Sequence, residues 1–147
     1  MRHVTKDSLN LIKRFEGFSK TIYICPAGYP TIGYGHVVKE REMEQFKNGI
    51  AETQAKDLLR QDVQEAEKAV LRLITVPLTE NQFDALVSFT FNLGAGALQR
   101  STLRWKINRE EHKAAPAEFV KWVWAGGEKS TGLLLRRKAE AILYSTE

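Results

Sequence analysis

At 147 residues the chain suits one domain with a sizeable core, and no apolar run approaches the ~20 residues that span a bilayer as a helix. Its single cysteine excludes an internal disulfide and a zinc site built from cysteines. The net charge of +4 is spread as eight Lys/Arg against five Asp/Glu in residues 1–50, four against seven in 51–99 and ten against six in 100–147. No Lys/Arg block interleaved with aromatics forms, so nucleic acid ranks last among anionic partners and a solvated basic surface first.

The opening residues, "MRHVTKDSLNLIKRF", lack the apolar stretch and small-residue cleavage site of a signal peptide, which leads us to expect a chain made and folded in the cytoplasm. They run into a helix predicted over Lys6–Glu16, with Thr5 as N-cap and Val4 and Leu9 as a hydrophobic staple. Leu9, Ile12 and Glu16 share one helical face, so the carboxylate extends an apolar stripe. Gly17 follows where a helix end favours glycine.

Two β-like runs, 21–25 and 31–34, flank the turn-rich "PAGYP". A hairpin with that five-residue loop places Cys25 opposite Thr31 on one face. Gly33 and Gly35 lie two and four residues after Thr31, so that face is expected to be bare backbone open to an extended ligand. After a polar stretch, an amphipathic helix is predicted over 52–73. A capping box from Thr79 to Gln82, stapled by Leu78 and Phe83, opens a helix that ends before Gly94. Shorter helices are expected at 102–109, 116–124 and 132–144, with a break at Gly126-Gly127. The layout is α+β and mostly α, in a single domain. A helix and hairpin form a small lobe (1–51), a long helix connects (52–73), and a helical lobe follows (74–147).

Singly, these residues say little. Together, a helix end brings Glu16 toward a hairpin carrying Cys25 and Thr31. A carboxylic acid on an apolar face is expected to keep its proton to higher pH, as a general acid requires. A thiol and a hydroxyl facing it can hold one water.

The pattern E-x8-C-x5-T of Glu16, Cys25 and Thr31, followed by "TIGYGH", resembles the phage-type lysozymes of glycoside hydrolase family 24. So do "ALVSFTFNLGAGAL" (85–98), "STLRWKIN" (101–108), "FVKWVWAGG" (119–127) and "GLLLRRKAEAILY" (132–144), in the right order. The resemblance implies a lysozyme-like fold and a muramidase. Such an enzyme hydrolyses the β-1,4 bond between N-acetylmuramic acid and N-acetylglucosamine in peptidoglycan, an endolysin's task in host cell lysis. Carried over by position, Glu16 is the general acid and Thr31 stands beside the attacking water. Cys25 stands where many members carry aspartate, in a family that tolerates either residue. A cleft between the lobes is implied, lined by His36, Phe91 and Asn92, and Arg136 or Arg137 would approach Glu16. Helical phase does not decide which arginine.

No cofactor or metal is implied. The partner is bacterial peptidoglycan, met by a monomer without nucleic acid or stable membrane insertion, starting in the host cytoplasm and reaching the wall through a separate pore. A thiol has a reference pKa near 8.5 and a neighbouring carboxylate raises it, so Cys25 is expected to be neutral and, with Thr31, to position water for an inverting attack. Two other readings stand beside hydrolysis. One is a lytic transglycosylase, which also uses one glutamate but closes the sugar into a 1,6-anhydro end. The other is a catalytically silent peptidoglycan-binding module. The basic tail with Trp122 and Trp124 admits weak contact with anionic membranes, the alternative being that both tryptophans are core.

Overall fold

Thr5 caps the first helix as its side chain dictates: Oγ1 accepts the Asp7 N–H at 3.3 Å. The helix, α1, spans Lys6–Glu16. It stops where Gly17, at φ 74°, returns its N–H to the Lys13 carbonyl at 2.9 Å. The computed structural model describes all 147 residues. They fall into two units, Ile12–Val63 and Met1–Leu11 with Gln64–Glu147, and the divisions lie inside α1 and inside α3 (Glu52–Leu73).

In the unit of residues 12–63, the end of α1 leads into β1 (Ser19–Ile24), β2 (Pro30–Gly33) and β3 (His36–Val37), an antiparallel sheet in the order β1-β2-β3. A 3₁₀ turn at Glu40–Glu42 and α2 (Met43–Phe46) follow, then the first half of α3. Ile12, Ile32, Phe46, Leu59 and Val63 form its core. The sequence pattern missed β3 and α2, which at two and four residues are too short to leave a period.

Two expectations about the hairpin need correcting. Thr31 pairs with Tyr23, not Cys25. The Cys25 N–H donates to the Tyr29 carbonyl at 2.9 Å and the Gly28 N–H to the Cys25 carbonyl at 2.8 Å, leaving a loop of three residues instead of five. Gly28, at φ 91°, supplies the left-handed residue on which a three-residue hairpin turns. The glycine face is also not open at Gly33, where a Cβ would lie 3.1 Å from that of Ala55; the missing side chain lets β2 pack against α3.

The other unit is built round α4 (Glu80–Leu93), buried without a break from Phe83 to Thr90. Its capping box forms as expected, Gln82 N–H to Thr79 Oγ1 at 3.1 Å and Thr79 N–H to Gln82 Oε1 at 2.9 Å. Around it lie α5 (Ala95–Arg100), α6 (Thr102–Asn108), α7 (Ala115–Phe119) and α8 (Thr131–Ser145), with α8 packed along α4 and α7. The six-residue α5 was not expected, and α7 ends at Phe119, short of the predicted 124. Instead Trp124–Ala125 (β4) pairs with Glu128–Lys129 (β5) around Gly126-Gly127, both at positive φ, so the expected break is a hairpin turn. Trp122 meets Phe89 edge-on with centroids 5.7 Å apart, whereas Trp124 is 61% exposed, so the second tryptophan is not core.

Residues 1–11 group with 64–147, not with the first lobe where the sequence placed them. The reason is a demand for donors. Buried Glu67 accepts the Val4 N–H at 2.7 Å and buried Asp84 the Thr5 N–H at 3.0 Å, and a buried carboxylate without donors is strongly destabilising.

Candidate active site

Glu16 is the last residue of α1, four positions after fully buried Ile12, and is itself half-buried. Its carboxylate rests against Gly35: a Cβ built there would lie 2.8 Å from Glu16 Oε1. Gly35 also has φ 80°. Two independent requirements thus exclude a side chain at that position. The room left by the glycine is occupied by the carboxylate.

The hairpin supplies the opposing groups. Thr31 is 3% exposed, and its Oγ1 donates to the Tyr29 carbonyl at 2.9 Å. Cys25 is diagonal to Thr31 across the ladder, on the same face and with its thiol within hydrogen-bonding reach of the Thr31 hydroxyl. The Tyr29 N–H, first of all, lowers the thiol pKa; the Thr31 hydroxyl and the N–H groups of Ala27 and Gly28 add to this against a smaller opposing effect of desolvation. The sequence led us to expect the reverse, a thiol raised by a carboxylate. Because the Cys25 carbonyl takes the Gly28 N–H, the Tyr29 amide is left for the sulfur. The turn cradles negative charge as it would cradle an aspartate.

The sequence reading passed over two residues here. Tyr23, opposite Thr31, has its phenol pKa raised by burial, then by the charges of Glu16 and Cys25, both within electrostatic range of it. Tyr29 lies across from Cys25. Both are two residues from a named site residue along a strand, a signal that needs the correct register to be read.

His36 was expected to line the substrate path. It is 8% exposed, with Nδ1 2.8 Å from Asp62 Oδ2 and Nε2 3.2 Å from Glu42 Oε1. Two acceptors require two donors, so both ring nitrogens carry protons when both contacts form. The role this geometry supports is structural, tying β3 to α3. Phe91 and Asn92 lie near the end of α4, where Asn92 Oδ1 accepts from Arg137 Nη2 at 2.7 Å. Arg136 and Arg137 are buried on α8 with Glu140, whose Oε1 is 2.8 Å from Arg137 Nε. No group of three or more His, Cys, Asp or Glu is arranged to hold a metal ion.

Comparison with known proteins shows the family. A sequence model described as phage lysozyme matches residues 13–140. The chain is 42% identical over 146 residues to an endolysin of Bacillus phage B103, covering 98% of itself but 54% of that protein. It is 38% identical over 148 residues to an endolysin of Acyrthosiphon pisum secondary endosymbiont phage 1, covering 98% of itself and 99% of that protein. Among solved structures, the muramidase domain of SpmX from Asticaccaulis excentricus superposes with a TM-score of 0.88 at 32% identity, with 100% of both chains covered. The chain thus spans about half of one relative and almost all of the other. On the family match and the full-length likeness together, the chain belongs to the phage lysozyme family, glycoside hydrolases of the muramidase type, and has the function of a phage endolysin.

Proposed function

We propose that the enzyme cleaves the β-1,4 bond between N-acetylmuramic acid and N-acetylglucosamine by a single displacement in which Glu16 is the general acid. Glu16 protonates the glycosidic oxygen as the bond to the anomeric carbon breaks. A water held by Thr31 and Cys25 attacks that carbon from the opposite face, and Cys25, as thiolate, accepts its proton. Proton exchange with solvent then restores both groups, and the net change is the addition of one water. The observation that carries this reading is the hairpin cradle: amide donors at the sulfur favour the charge that the sequence reading did not expect of this thiol. They make a base of a residue that otherwise ionises too weakly. The same cradle favours hydrolysis over transglycosylation, which has no use for a water site.

The test is mass spectrometry of fragments released from purified peptidoglycan. New reducing ends are expected. Ends closed as 1,6-anhydro sugars would assign the chain to transglycosylation, and binding without fragments would make it a silent module. Three finer readings are proposals of the same kind: the enzyme works as a monomer, Phe91, Asn92 and an arginine of α8 contribute to substrate binding, and it leaves the host cytoplasm through a separate pore. No helix is long and apolar enough to cross a membrane. Sedimentation velocity checks the first, and lysis of cells with and without pore expression checks the last.

A further inference from the structure

The corrected register arranges four side chains of the hairpin as a square. Tyr23 faces Thr31 and Cys25 faces Tyr29, so Cys25 and Thr31 occupy one diagonal and the two tyrosines the other. The corners differ in exposure. Thr31 is buried at 3%, whereas Tyr23 is 39% exposed and Tyr29 58% exposed. Two large aromatic rings are therefore left in water on either side of the proposed water site. An aromatic ring with a polar tip suits a sugar, whose axial C–H face stacks on the ring while its hydroxyls and N-acetyl group reach the phenol.

We propose that Tyr23 and Tyr29 are positioning residues for the glycan strand, Tyr23 orienting the sugar whose bond is broken and Tyr29 holding a neighbouring sugar. The proposal rests on the reading of Glu16 as general acid. Tyr23 has the larger share because it stands directly opposite Thr31 and two residues from Cys25 on the same face. Tyr29 lies at the loop end of the square, where its backbone already orders the catalytic pair: its carbonyl accepts from both Cys25 N–H and Thr31 Oγ1. Its side chain is free of that task and open to water. Exposure of both rings means that neither is needed to fill the core, so substitution should leave the fold intact.

The experiment is steady-state kinetics on solubilised, uncrosslinked glycan strands for Tyr23→Phe, Tyr23→Leu, Tyr29→Phe and Tyr29→Leu, each checked by thermal melting. Leucine keeps apolar bulk on the strand and removes the ring; phenylalanine keeps the ring and removes the hydroxyl. Tyr29→Leu is expected to raise KM about two- to ten-fold, the worth of one aromatic contact, with kcat unchanged. Tyr23→Leu is expected to lower kcat by at least that factor, with Tyr23→Phe restoring most of it. Wild-type KM and kcat in both leucine variants would overturn the proposal, as would equal losses in kcat and melting temperature. Glu16→Gln, assayed in parallel, separates the two levels. If it stays active, the reading of the acid fails; if it is inactive while both leucine variants behave as wild type, only the role of the tyrosines fails.

Discussion

The two units use charge in opposite ways. In residues 12–63 the proposed reactive groups stand half-open at a hairpin: Glu16 is partly exposed against a glycine, and Cys25 is held by backbone amides. In the other unit, Arg136, Arg137 and Glu140 are buried on α8, and Ser88 Oγ donates to Glu140 Oε2 at 2.6 Å. Groups proposed to exchange protons with substrate and solvent are left accessible, and the thiol is tuned by donors. The charged groups of α8 are dried and matched one against another. Removing a charge should therefore damage rate in the first unit and stability in the second.

Glu16→Gln gives the largest effect on activity. The amide keeps the shape and cannot donate the proton, so turbidity loss of outer-membrane-stripped Gram-negative cells is expected to slow roughly 10²–10⁴-fold, with an unchanged melting temperature. A correctly folded, lytic Glu16→Gln enzyme would remove the residue from its role. Glu140→Gln should do the converse. Leaving two guanidinium groups without their shared carboxylate is expected to lower stability by about 3–5 kcal/mol in denaturant titration. An unfolding midpoint like that of the wild type would break the contrast between the units.

Gly35→Ala tests how Glu16 is seated. The new methyl meets a movable carboxylate, so the side chain shifts and lysis falls. Stability drops only by the strain of a positive φ, on the order of 1–2 kcal/mol. Retained activity would show that the seat on Gly35 does not matter. At Cys25 the prediction concerns shape more than size. For the wild type, lysis should rise with pH as a thiol held below its usual range ionises. Cys25→Asp should keep activity and move the rising limb to lower pH, while Cys25→Ala should lose that limb and most of the rate. A covalent sugar on Cys25, seen in the intact mass during turnover, would replace the base with a nucleophile.

The smallest expected effect is at His36. Its hydrogen bond to Asp62, above all, raises its pKa, against desolvation and with help from the Asp62 charge and from Glu42. A folded value above the unfolded ~6.5 means that the charged histidine stabilises fully below that pH and loses its contribution as pH climbs through the folded value. Glu42 has the opposite sign. Burial pushes it up, but the Lys39 N–H and His36 bring it below the ordinary range. Its contribution is present above the ordinary carboxylate value and lost as pH falls through the lowered one. Melting temperature should therefore be flat at mildly acidic pH and decline on the alkaline side. His36→Asn should abolish the alkaline decline; an unaltered profile would place its origin elsewhere.

The elements legible in the sequence are those written in local chemistry. Residue spacing and a cap located α1 at Lys6–Glu16, periodicity located α3 at Glu52–Leu73, and the Thr79–Gln82 box located α4. Each depends on contacts three or four residues apart, which any window of the chain contains. The glutamate, cysteine and threonine of the proposed site were named from the spacing E-x8-C-x5-T and the resemblance it carries. Their arrangement was not. One left-handed glycine at 28 moves the hairpin register by two residues, so that Tyr23 replaces Cys25 opposite Thr31. The turn amides reverse the expected direction of the thiol pKa. Buried carboxylates at 67 and 84 draw the first residues away from the lobe they precede. Backbone donors and desolvation are what the side-chain pattern does not encode, because every residue but proline carries the same N–H and only the folded chain decides where it points.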